Sequence, residues 1–111
     1  METKRDRGKI RDLNDGLRKT FIGGRVVMTA GVNALETETK AAVLDMVRAF
    51  DVFTPDNDPH SEHDFGNFSH DGQRFFWKID YFDHALEFGS PNPSDPAITT
   101  RVLTIMLADE Y

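Results

Sequence analysis

Apolar and polar positions along the chain change period several times, and each change marks a predicted element. Ile10, Leu13, Leu17 and Phe21 recur at helical spacing on an otherwise charged segment. This predicts a helix from about Thr3 to Phe21, frayed over its first residues and weakened at Gly16. Gly23-Gly24 stops it. Arg25–Ala30 (RVVMTA) reads as a short buried strand closed by Gly31, because it is too short for a helix and rich in Val and Thr. Thr37 or Thr39 then caps a second helix, with Glu36 and Glu38 near its positive end and Val43, Leu44, Val47 and Phe50 on its inner face.

A turn-forming cluster, Pro55-Asp56-Asn57-Asp58-Pro59, separates that helix from a hairpin. Asp71-Gly72 supplies the positive φ angles of a two-residue turn, and Phe75, Trp77, Ile79 and Tyr81 alternate with polar residues after it. The turn sets the register. Phe68 faces Phe75 and Gly66 faces Trp77 on the inner side, while Phe65 faces Lys78 and His63 faces Asp80 on the other. Glycine opposite the indole leaves room for it. Asp95-Pro96 reads as a helix start, and Ile98, Val102, Leu103, Ile105, Met106 and Leu107 predict a third helix ending near Asp109. Its broad apolar surface suits central burial or a homodimer contact. A strand is the alternative, favoured by the β-branched content. The expected fold is α+β: three helices on a small, about three-stranded antiparallel sheet built around the central hairpin. Residues 1–111 form one domain, with 1–9 frayed.

Composition narrows the setting. The chain has no cysteine, which excludes disulfides, thiolate metal sites and cysteine nucleophiles and suits a reducing cytoplasm. No apolar run has the length of a membrane span, and the polar, basic N-terminus does not read as a signal peptide. The net charge of −6 is uneven: residues 1–25 sum to +4 and residues 26–111 to −10. An acidic body disfavours direct nucleic-acid binding and suits a basic protein partner, such as one that itself binds nucleic acid. Lys4, Arg5, Arg7, Lys9 and Arg11 read as a solvated helix face, with phosphate or an acidic partner as the alternative. The glycines near residue 24 are followed by no Lys-Ser/Thr, so they do not form a phosphate loop.

Three chemistries compete for residues 55–84, which hold all four histidines. Asp56, Asp58, Glu62, His63, Asp64 and Asp80 have the oxygen and imidazole donors of a divalent metal site, with Asp58, His63, Asp64 and Asp80 its core, although no calcium-loop or zinc spacing is present. Alternatively His63 is a general base oriented by Asp80, with Lys78 or Arg74 as anion stabiliser. In the third reading the aspartates hold turns, His63–Asp80 is structural, and Phe65, Phe76 and Phe82 form a partner surface with Asp56, Asp58 and Glu62. No cofactor is expected in that case.

The segments LNDGLRKTF, GGRVVMTAGV, DNDPHSEHDFG, FWKIDYFD and SDPAITTRVLTIMLADEY together resemble a family of small alphaproteobacterial proteins, often plasmid- or mobile-element-borne, known only as a domain of unknown function. The resemblance implies a single-domain cytoplasmic protein with a mobile-element connection, and no activity. The functional expectation is a non-enzymatic acidic interaction module, in its most concrete form a mobile-element inhibitor of host nucleic-acid machinery, as anti-CRISPR or anti-restriction proteins are. A metal-dependent hydrolase or metal-binding protein is the alternative.

Overall fold

The computed structural model describes residues 6–111; the expected helix start at Thr3, and Lys4 and Arg5, lie outside them. Helix α1 (Arg7–Thr20) begins at Asp6, whose carboxylate accepts the Lys9 N–H at 3.0 Å, and ends at Phe21 in the left-handed conformation. Strand β1 is Arg25–Met28, ending two residues before the expected Ala30, and a single-turn helix α2 (Ala30–Asn33) that the sequence reading did not include follows. Helix α3 spans Thr37–Ala49; Glu36 holds the cap position without a side-chain cap bond, so neither Thr37 nor Thr39 caps it. Its inner face is Val43 and Val47, flanked by Leu44 and Phe50 as expected.

Strands β2 (Phe65–His70) and β3 (Gln73–Phe82) form the hairpin in the predicted register, with Phe68 opposite Phe75, Gly66 opposite Trp77 and Phe65 opposite Lys78. Asp71 and Gly72 both have positive φ, as a tight primed turn demands.

Residues 100–107 correct the sequence reading. They form strand β4 (Thr100–Leu107), not a third long helix, and Asp95-Pro96 opens only a turn. The sheet therefore has four strands in the order β1-β4-β3-β2, with β1 parallel to β4 and the other pairs antiparallel. β4 is central. Arg101, Leu103 and Ile105 turn to one face and Val102 and Met106 to the other, so both faces carry apolar residues. That lack of clean alternation imitates a broadly apolar helix, and the β-branched content decides for the strand.

All three helices lie on one face of the sheet. Leu17, Val32, Val43 and Val47 pack there against Phe75, Trp77, Ile79, Leu103 and Ile105. None of α1–α3 covers the opposite face; there a 3-10 turn (Ala108–Glu110) leads into Tyr111, whose ring packs on Phe65 and Phe76. Among the described residues, no helix is long and apolar enough to cross a membrane.

Candidate functional site

Two features remain once the core is accounted for: a polar cluster between α1 and residues 58–64, and the helix-free face of the sheet.

The polar cluster starts from Asn14, which occupies the inward stripe of α1 between Ile10 and Leu17 and is fully buried. Its amide donates to the Glu62 carbonyl at 3.0 Å and to Tyr81 Oη at 2.8 Å, and its oxygen accepts from Arg101 Nε at 2.9 Å. Tyr81 Oη donates to Glu62 Oε1 at 3.0 Å, and Arg101 also donates to the Pro93 carbonyl. Burial, foremost, holds the Tyr81 phenol well above its ordinary value. Burial likewise weighs against the Arg101 charge, with Tyr81 and Glu62 acting the other way. A polar residue on an apolar stripe was the sequence signal for this network.

One residue along α1, Asp15 faces the second half of the cluster. Arg18 is buried, donates to Asp15 at 3.2 Å, and donates to the Val47 and Arg48 carbonyls, closing the C-terminal end of α3. His63 Nδ1 lies 2.9 Å from Asp15, its ring stacks on Phe53 at 3.7 Å between centroids, and its Nε2 is 3.8 Å from Asp58.

This overturns the expected His63–Asp80 pair. The ladder continues to Asp64, whose carbonyl accepts the Ile79 N–H at 2.8 Å, and then breaks at His63, where φ is 54°. The left-handed residue swings the imidazole to the helix side of the sheet. Asp80 instead meets Lys78 at 3.0 Å on the other face.

Asp58 is buried and accepts the N–H groups of Glu62 and His63, holding the loop as a turn aspartate does. Asp64 is half-buried and its carboxyl is pushed up by desolvation first, then by Glu62. Asp56 stays on the exposed turn. Asp58, His63, Asp64 and Asp80 thus do not form one centre, and among the described residues no three His, Asp or Glu side chains converge to hold a metal ion. Clefts of about 300 and 360 Å³ flank the Phe53–His63 stack. Through Asp15 on α1 and Asp58 in the loop, His63 clasps the two together.

The helix-free face gathers Phe65 from β2, Phe76, Lys78, Asp80 and Phe82 from β3, and Val102 and Met106 from β4. Phe65 and Phe76 touch at 5.4 Å, and Tyr111 presents its edge to both at 6.2 and 5.4 Å. Of the residues expected at a partner surface, Phe65, Phe76 and Phe82 share this face, whereas Asp58 and Glu62 are turned inward.

The family model for a protein of unknown function, DUF3768, matches residues 28–110, three quarters of the chain. The chain belongs to this family. The DUF3768 stretch contains β2, β3 and β4 with Glu62, His63, Tyr81 and Arg101, while Asn14, Asp15 and Arg18 precede it. No curated protein and no solved structure matches the chain.

Proposed function

We propose that this protein is a non-enzymatic protein-interaction module whose contact surface is the helix-free face of its sheet. The observation that carries the reading is that half-buried Phe65, Phe76, Phe82 and Val102 share, around the Lys78–Asp80 pair, a sheet face that none of α1–α3 covers. Phe65, Phe76 and Phe82 supply contact area, and aromatic residues are the side chains on which interface energy concentrates. The −10 charge of residues 26–111 steers a basic partner towards the molecule, acting on encounter rate more than on residence. In its most specific form the partner is a basic host protein of the nucleic-acid machinery and the module is its inhibitor, a form supported by charge and by the resemblance to mobile-element proteins. The polar cluster behind the sheet keeps the scaffold rigid.

Affinity capture from a host lysate tests this, run in parallel with Phe76→Ser and Phe82→Ser. A basic protein should be recovered by the wild-type chain, less by either variant, and less as salt rises. Recovery of nothing above background, or capture indifferent to both substitutions, would refute the reading.

A further inference from the structure

At one end of the helix-free face lies an open depression of about 390 Å³, walled by Thr29, Lys78, Thr104, Met106, Glu110 and Tyr111. Met106, only 3% exposed, gives it an apolar floor. Tyr111, 74% exposed, stands at its edge and makes edge-to-face contacts with Phe65 and Phe76.

Lys78 and Glu110 border the depression, and among the described residues Lys78 alone of the two meets an opposite charge. Lys78 Nζ is 3.0 Å from Asp80. Glu110 is met by neutral donors: Oε1 accepts from Thr29 Oγ1 at 2.6 Å and from the Leu107 N–H at 2.9 Å, and Oε2 from the Gly31 N–H at 2.9 Å. These bonds fix the carboxylate, hold its pKa below the usual value, and leave one acceptor position on Oε2.

We propose that this depression is an arginine subsite for the docking partner. The arginine stem packs over Met106, the guanidinium lies against the Tyr111 ring, and one of its N–H groups donates to Glu110 Oε2. A fixed carboxylate beside an exposed aromatic ring above an apolar floor matches the three parts of an arginine side chain. Its planar cation stacks on a ring as a lysine ammonium does not. The inference rests on the helix-free face being a docking surface and names the chemistry that one end of it selects.

The test is NMR titration of the full chain with four capped tripeptides, glycine-X-glycine, in which X is arginine, citrulline, lysine or leucine. The arginine peptide should shift the signals of Thr104, Met106 and Tyr111, and citrulline, equal in shape but uncharged, should bind roughly fivefold more weakly. Tyr111→Ala should weaken arginine binding, and Glu110→Gln should erase the preference over citrulline. No shift at millimolar arginine peptide would overturn the subsite. So would equal binding of lysine, citrulline or leucine. A leucine-equal result leaves the docking face intact, because the face stands or falls by partner capture with Phe76→Ser.

Discussion

Asn14 on α1 and Arg101 on β4 meet in the core, with Arg101 Nε donating to Asn14 Oδ1 at 2.9 Å. This bond ties the helix layer to the central strand, and the same amide serves Tyr81 and the Glu62 carbonyl. Asn14→Ala takes one hydrogen-bond partner each from Arg101, Tyr81 and the Glu62 carbonyl at once. The expected loss is about 2–4 kcal/mol in a urea unfolding curve, because an unmatched buried group carries its full desolvation penalty.

Asp15 and Asp80 provide a direct comparison. Asp15→Ala removes the acceptor of both His63 and Arg18 and should lower stability by about 1–3 kcal/mol. Asp80→Ala removes a partner only from Lys78 on the open face and should stay within about 0.5 kcal/mol of wild type. A double-mutant cycle with His63→Ala should give coupling to Asp15 and none to Asp80. The opposite result would restore the cross-strand pair.

The buried phenol of Tyr81 gives stability a dependence on alkaline pH. Its folded-state pKa is raised above the ordinary value of about 10, so the folded chain holds the proton more tightly than the unfolded one. The contribution is therefore full below about pH 10 and is lost as pH rises beyond it. Denaturation midpoints above about pH 10 should fall more steeply for wild type than for Tyr81→Phe. Parallel slopes would show that the phenol is not held in this way.

Gly66 tests the hairpin packing. A methyl group there would lie 2.6 Å from Trp77 Cε2 and 2.9 Å from Phe50 Cε1, so Gly66→Ala must displace the indole. The expected cost is about 1–3 kcal/mol, accompanied by a shift in the emission of this lone tryptophan. An unchanged spectrum would mean that the ring does not sit against residue 66.

How much of this was legible in the sequence depended on how local each feature is. The hairpin was readable because Asp71-Gly72 fixes a register, and that register extends to Gly66 and Phe65. α1, β1 and α3 followed from periodicity and glycine stops. β4 was misread because a central strand with apolar side chains on both faces loses the two-residue alternation that marks an ordinary strand. The shared face of Phe65, Phe76 and Phe82 was legible from pairing alone. The partner of His63 was not: Asp15 is 48 positions away, and the choice between it and Asp80 turns on one positive φ that the residue type does not announce. Asn14 did carry a signal, a polar side chain on the inward stripe, but nothing local pointed to Arg101.

The place of β4 between β1 and β3 also bears on biosynthesis. The strand made last fills the middle of the sheet, so its two neighbours cannot be joined through it until residues 100–107 have left the ribosome. Until then the hairpin offers a bare β3 edge carrying Trp77 and Ile79 on one side and Phe76 and Phe82 on the other, a surface prone to pairing with other chains. Folding is thus a late, nearly all-at-once event, and a chain cut short before β4 would be a poor substrate for anything except aggregation or degradation.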